Sequence, residues 1–268
     1  MIEIMVQRRF PRLTAIILIV ALAGNPLFAY TAIENIAAFL GLAFFGLGMA
    51  HIVRFVAWGN TQSGFRAGIL LMLATLTDLS GVLYALTAAA AAPFLKLGRR
   101  GQLGARGANV LVIVYPTVAA TVAIISLNLL FLGSPFGLMG ERIVEGSEQR
   151  LETLGVLLTQ PGGFLLFGSV LSAWLIALIV RRPGLILVSS LVFLAILTAF
   201  VIGLIPSGSA GNTFILMILM AIALIPVART RWSVRLTNAV AVLQIVIAWA
   251  SAFSREPTIN WIAAIWGS

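Results

Sequence analysis

Long apolar runs, separated by short polar intervals, make up most of the chain. A helix of about 20 apolar residues crosses the hydrocarbon core of a membrane. On this measure the pattern predicts helices at about 13–32, 35–58, 108–133, 163–180, 184–206, 213–228 and 236–253. The expected fold class is all-α: a polytopic integral membrane helix bundle of about 7–8 membrane segments, with residues 1–268 forming a single transmembrane domain.

A further apolar run, residues 66–95, contains one acidic residue, Asp78. One interpretation is a single tilted helix of roughly 30 residues, about 45 Å long at 1.5 Å per residue. Another is a re-entrant hairpin, in which the polar side chains and glycine of residues 77–81 break the run into two half-helices. Irregular backbone at membrane depth must be buried in protein or face a water-filled cavity, so the hairpin implies a cavity or a partner. A third interpretation makes the first segment re-entrant instead.

The basic residues discriminate between these topologies. If every run crosses once, eight of the 17 Lys and Arg lie on the side of the N-terminus and nine on the other. Neither orientation then satisfies the positive-inside rule. If residues 66–95 are re-entrant, fourteen lie on one side and three on the other, whereas a re-entrant first segment gives twelve and five. The distribution therefore favours a re-entrant 66–95 run with the fourteen basic residues in the cytoplasm.

Four polar residues inside the predicted segments are candidates for a functional site: Asp78, His51, Arg54 and Asn128. An ionised carboxylate deep in a membrane is costly, so Asp78 should be protonated, paired or hydrated. His51 and Arg54 are three residues apart and share one face of the second helix. One hypothesis is a proton- or cation-sensitive gate of Asp78, His51 and Arg54. The alternative is that Asp78 only fixes helix packing through a hydrogen bond, the role that interhelical bonding also gives Asn128.

The longest polar interval contains a second candidate, an amphipathic surface helix near residues 138–158. Four of the eight acidic residues of the chain recur there at helical spacing: Glu141, Glu145, Glu148 and Glu152. Apolar residues gather on another side, as in a helix that lies on a membrane surface. This acidic face could bind a cation or a basic partner, but it has no ligand spacing for calcium or a transition metal, and a solvated face explains it equally.

Several classes of function are excluded by composition. The chain has no cysteine and one histidine, which excludes disulfides, thiolate metal sites and paired-imidazole haem ligation, and we expect no metal or cofactor. It shows no nucleophile-base pair, phosphate-binding glycine loop or carboxylate pair, so it is not expected to be an enzyme. The net charge of +9 comes from short clusters between apolar runs and not from a basic helix, which argues against a nucleic-acid partner.

Two functions are compatible with the sequence after these exclusions. The first is a transport or translocation component, a channel, permease or secretion-pore subunit with a cavity near Asp78. The alternative is a non-catalytic structural or assembly subunit of a larger membrane protein complex. The expected partners are the lipid bilayer and either other membrane subunits or further copies of the chain. The excess of arginine over lysine, 16 to 1, is typical of a GC-rich prokaryotic genome, so the expected location is the cytoplasmic (inner) membrane.

The re-entrant topology can be tested by cysteine labelling, because the chain contains no cysteine of its own. Single cysteines at Gly104, Pro183 and Trp232 should react with a membrane-impermeant thiol reagent from the same side, since the three basic clusters around them are predicted to be cytoplasmic. Labelling from opposite sides would rule this topology out.

Overall fold

A computed structural model describes residues 11–24, 29, 32–33, 36–58, 61–77, 106–135, 150–152 and 231–253, and single positions between 178 and 201. This part of the chain is helical, with short turns at helix ends, and has no strand. The all-α class is thus confirmed for it. Five helices have defined bounds: α1 (Arg12–Ala23), α2 (Ile36–Trp58), α3 (Thr61–Thr77), α4 (Arg106–Leu132) and α5 (Arg231–Phe253).

Helix α4 contains the segment best suited to a membrane. Within it, Leu111–Leu132 is the one stretch of the described chain that is both long and apolar enough to cross a bilayer. Shorter apolar helical stretches occupy Arg12–Ala21, Phe39–Ile52 and Val234–Leu243. These lengths and compositions are compatible with membrane association, and the number of spans stays a prediction.

The predicted bounds agree with the structure in the two most uniformly apolar helices, α2 and α4, to within two residues at each end. Helices α3 and α5 instead begin five residues earlier than their predicted starts at 66 and 236. The extra residues are mostly polar or small, as in Thr61, Gln62, Ser63 and Gly64, so an apolar window does not include them. Arg66 therefore lies inside α3 and not before it. The predicted helices at 163–180, 184–206 and 213–228 lie outside the described residues, apart from single helical positions.

Helices α2 and α3 form an antiparallel pair joined by two residues. A Cβ atom on Gly48 would lie 3.2 Å from the Leu71 side chain, and one on Gly64 would lie 3.2 Å from the Phe55 ring. Seven residues separate Gly48 from Phe55, and seven separate Gly64 from Leu71, so both contacts give the same register. Each glycine thus receives a large apolar side chain of the other helix, which lets the two backbones approach closely.

Gly68 of helix α3 packs directly against the backbone of α4. A Cβ atom on Gly68 would lie 2.9 Å from the Val112 carbonyl oxygen, 3.1 Å from that of Ile113 and 3.0 Å from Cγ of Pro116. Pro116 has no N–H and cannot donate to the Val112 carbonyl four residues earlier. That carbonyl is thus left without its helical partner at the place where Gly68 packs. The glycine of α3 and the proline of α4 therefore take part in the same helix contact.

Helix α2 is buried around most of its circumference. Among its described side chains, the exposed ones are all apolar and lie in its first half: Ile36, Ala37, Leu40, Ala43 and Leu47. Phe45, Met49 and Ile52 are among the most completely buried large side chains of the described chain. The second half of α2 is therefore the part that the rest of the protein encloses.

The first and last described helices also contact each other. The indole Nε1–H of Trp249 in α5 donates a hydrogen bond of 3.0 Å to the carbonyl oxygen of Gly24, the residue after α1. The N–H of Gly24 itself donates to the Val20 carbonyl, closing the last turn of α1. Trp249 therefore satisfies one of the carbonyl groups that a helix leaves unpaired at its C-terminus.

The Gly68 contact predicts a specific pattern of stability. Gly68→Ala should lower the midpoint of thermal unfolding, because its new Cβ meets two backbone carbonyls that cannot rotate away, and overpacking costs about 1–3 kcal/mol. Gly48→Ala is the matched control: its Cβ would lie 3.2 Å from the Leu71 side chain and 3.6 Å from the nearest backbone oxygen, that of Ala67, and the gain of alanine over glycine in a helix is about 0.5–1 kcal/mol. Thermal unfolding of the purified protein in detergent measures both, and equal midpoints for the two variants would contradict the contact.

Candidate functional site

Helix α3 directly precedes Asp78 in the sequence, and one face of this helix is buried. Its buried residues recur at helical spacing up to the last turn: Ser63, Gly64, Ala67, Gly68, Leu71, Ala74 and Thr75. Asp78 itself lies outside the described residues, one residue after the end of α3 at Thr77.

The hydroxyl groups at the end of α3 bond within their own helix. Thr75 Oγ1 donates a 3.0 Å hydrogen bond to the Leu71 carbonyl, and Thr77 Oγ1 donates to the carbonyl of Leu73. Thr75 is buried and Thr77 half-buried. Because each hydroxyl uses its proton on a carbonyl four residues earlier, neither has a second proton to offer the carboxylate that follows.

His51 and Arg54 lie far from the end of α3. In the α2–α3 register, His51 is level with Gly68 and Arg54 with Phe65, and both side chains are half-buried. Thr77 lies nine residues beyond Gly68, about 13 Å further along the helix axis at 1.5 Å per residue. The structure thus brings His51 and Arg54 close to each other but separates them from the end of α3. The hydrogen bonds of Asp78 stay a prediction, and we do not base our proposal on a gate of these three residues.

Asn128 has a local partner at the end of α4. Its Nδ2 donates a 3.4 Å hydrogen bond to the carbonyl oxygen of Pro135, seven residues later. Gly133 lies between them with a φ of +67°, and its N–H donates to the Leu129 carbonyl at 3.2 Å. A left-handed residue with this bond is the αL motif that ends many helices. The contact of Asn128 therefore helps to close the C-terminus of α4 and is not a bond to another helix.

Sequence reasoning overlooked a polar group next to Pro116. Thr117 is buried, and its Oγ1 has no hydrogen-bond partner within the part of the chain that the structure describes. Its carbonyl accepts a 2.8 Å bond from the Thr121 hydroxyl. A hydroxyl group in an apolar run was the signal that could have identified it, because a buried hydroxyl ordinarily needs a hydrogen-bond partner.

The acidic segment is described at three positions only. Arg150, Leu151 and Glu152 are helical, and Leu151 and Glu152 are exposed. Glu141, Glu145 and Glu148 lie outside the described residues, so the amphipathic surface helix stays a prediction. Within the described ranges, no group of three or more histidine or acidic side chains is placed to hold a metal ion.

Comparison of the chain with models of known protein families, with curated proteins and with solved structures gives no match.

The separation of His51 and Arg54 from the end of α3 has a measurable consequence. The effects of Asp78→Asn and Arg54→Gln on the free energy of unfolding should add to within about 0.3–0.5 kcal/mol, as is usual for sites more than 7–10 Å apart that share no partner. Thermal or denaturant unfolding of both single variants and the double variant tests this. A larger coupling energy would show that the two side chains interact and would restore the gate hypothesis.

Proposed function

We propose that this chain is a polytopic membrane protein of about 7–8 segments that acts as a transport or translocation component of a prokaryotic cytoplasmic membrane. The proposed path runs beside Asp78, the one acidic residue between positions 35 and 140. The apolar character of the described helices and the spanning length of Leu111–Leu132 support the membrane setting.

The observation that carries this proposal is the register of α3 against α2 as α3 leads up to Asp78. Phe55 meets Gly64, and Leu71 meets Gly48, at intervals of seven residues. If α3 keeps this register beyond Thr77, the next interval pairs Asp78 with Gly41 of α2. In the proposed path this level is hydrated, which is the arrangement that makes a charged group at membrane depth tolerable.

The same register sets the depth of the carboxylate. The midpoint of α2 is Leu47, which is level with Met72, and Asp78 lies six residues past Met72. At 1.5 Å per residue, this is about 9 Å from the centre of the helix pair, towards the side on which α2 begins. The cost of a charge in a bilayer falls with distance from the centre. A carboxylate at this depth can therefore exchange ions with water at one surface.

The assembly-subunit alternative is supported by a different observation, the exposure of α4. Only 17% of its membrane-length segment is buried, and large apolar residues such as Leu111, Tyr115, Val122 and Leu130 are exposed. Lipid chains cover such a face in a solitary protein, whereas other subunits cover it in a complex. The mass of the protein extracted in a mild detergent distinguishes these cases.

The water-filled path can be tested by reactivity of an introduced thiol. Asp78→Cys should react with a charged, membrane-impermeant methanethiosulfonate reagent in reconstituted vesicles, because only a hydrated thiol ionises and is accessible to a charged reagent. Leu76→Cys is the matched control, since that side chain is 52% exposed on an apolar face that lipid should cover. We expect Asp78→Cys to react at least tenfold faster than Leu76→Cys. Gly41→Val in the Asp78→Cys background should slow the reaction by filling the space.

Equal rates at the two positions, or no effect of Gly41→Val, would contradict a path beside Asp78. Size-exclusion chromatography in detergent establishes that each variant is folded. If Asp78→Cys does not fold, Thr77→Cys provides a second position next to the proposed path, and the same comparison with Leu76→Cys applies.

A further inference from the structure

The direction of α1 relative to α5 follows from where they touch. Gly24, at the end of α1, lies against Trp249, four residues before the end of α5. If the helices are parallel, the buried residues Leu18 and Ala21 of α1 are level with Leu243 and Val246, and so have the middle of α5 beside them. If they are antiparallel, α1 runs past the end of α5 at Phe253, and its buried residues have little of α5 beside them. The burial pattern therefore favours parallel helices.

A second observation agrees with this direction. Thr14 Oγ1 and Asn238 Oδ1 are buried polar atoms that have no hydrogen-bond partner among the described residues. Thr14 precedes Gly24 by ten residues, and Asn238 precedes Trp249 by eleven. Only the parallel direction places these two polar groups at the same level.

Parallel helices begin on the same side, and both of these begin with arginine. Arg12 is the first residue of α1, and Arg231 and Arg235 lie in the first two turns of α5. All three are exposed, and neither helix contains an acidic residue. The Arg235 guanidinium lies 5.9 Å from the ring centre of Trp232, which is itself 75% exposed. We call Arg12, Arg231, Trp232 and Arg235 the basic-aromatic surface.

The arginines of this surface lie near the N-termini of their own helices, where the helix dipole is positive. The N-terminus of a helix has a partial positive charge and unpaired N–H groups, so a cation there is unfavourable and an anion favourable. In the parallel register Arg12 is level with Thr237, so it lies about 3 Å along the axis from Arg235 and about 9 Å from Arg231. The three arginines thus concentrate positive potential that the described part of α1 and α5 does not neutralise. A bound anion would relieve both the repulsion among the arginines and their repulsion from the helix ends.

We infer that the basic-aromatic surface binds the phosphate headgroup of anionic membrane lipids. Guanidinium groups bind phosphate through paired hydrogen bonds. Tryptophan rings favour the headgroup level of a membrane, and the stacking of Arg235 on Trp232 holds that guanidinium ready for a ligand there. A lipid phosphate is available at this level in any bilayer that contains anionic lipid. The inference needs the membrane setting of the proposed function but not the path beside Asp78.

The test compares lipid binding in nanodiscs of two compositions: phosphatidylcholine alone, and phosphatidylcholine with one-fifth phosphatidylglycerol. The wild-type protein should unfold at a higher temperature in the second and should retain phosphatidylglycerol preferentially after extraction into detergent. For the Arg231→Gln/Arg235→Gln variant, the apparent affinity for phosphatidylglycerol should fall more than tenfold, since each basic residue near an anionic surface contributes about 1 kcal/mol, or roughly fivefold. Arg66→Gln removes an exposed arginine of α3 and is the matched control, with a loss of no more than fivefold.

Three results would overturn the inference. The first is an unchanged phosphatidylglycerol affinity in the double variant. The second is an equal loss in Arg66→Gln, which would show that only diffuse charge acts. The third is full stabilisation of the detergent-solubilised protein by millimolar inorganic phosphate, which would identify a site for free phosphate and not for a lipid.

The direction of the helices is tested separately. Thr14→Cys and Asn238→Cys together should form a disulfide on mild oxidation, whereas Thr14→Cys with Ala250→Cys should not. Failure of the first pair to form a disulfide, while Ala23→Cys with Ala250→Cys forms one, would show antiparallel helices and would separate Arg12 from the rest of the surface. Because this measurement does not involve Asp78, a finding of antiparallel helices would not contradict the proposed path.

Discussion

The contact of Gly68 with the carbonyl groups before Pro116 is the constraint on which the described core depends. It brings a glycine without a side chain against backbone oxygens and a proline ring, so the separation of α3 and α4 is fixed by atoms that cannot change rotamer. The register of α3 against α2 depends on glycines in another way, because Gly48 and Gly64 each accept a large side chain of the other helix. In both contacts a small residue lets a neighbouring helix approach closely. Small residues thus set the spacing and register of α2, α3 and α4.

This constraint explains which parts of the structure the sequence could predict. Uniformly apolar helices such as α2 and α4 were predicted to within two residues, because an unbroken apolar run marks their length. The start of α3 was missed because Ser63 and Gly64 are small and not apolar. Hydropathy does not detect a position whose function is to be small. Gly46 and Ala50 are also small and buried, yet the glycine in contact with Leu71 of α3 is Gly48.

The candidate site was harder to predict because it depends on which residues of two helices are level with each other. His51 and Arg54 share a helix face, as their spacing indicates, but spacing within one helix says nothing about the register of the next. Two glycine contacts determine that register and place both residues about 13 Å or more from the end of α3 along its axis. Asn128 is a second residue whose partner the sequence did not identify. Its polar side chain closes its own helix, a role that a residue so close to a helix end can take without any neighbour.

The register also changes the physical meaning of the lone carboxylate. At the centre of a lipid-facing helix, an aspartate costs about 2.5–3.5 kcal/mol on insertion scales. The proposed path lowers that cost by supplying water, and continuation of the α2–α3 register beyond Thr77 would bring Asp78 about 9 Å from the level of the α2 midpoint, towards one surface. A carboxylate that is costly only when dehydrated responds to the hydration around it. In the proposed function, one such acid is therefore sufficient to make a path sensitive to ions, which reconciles the scarcity of charge in this chain with the proposed role in transport.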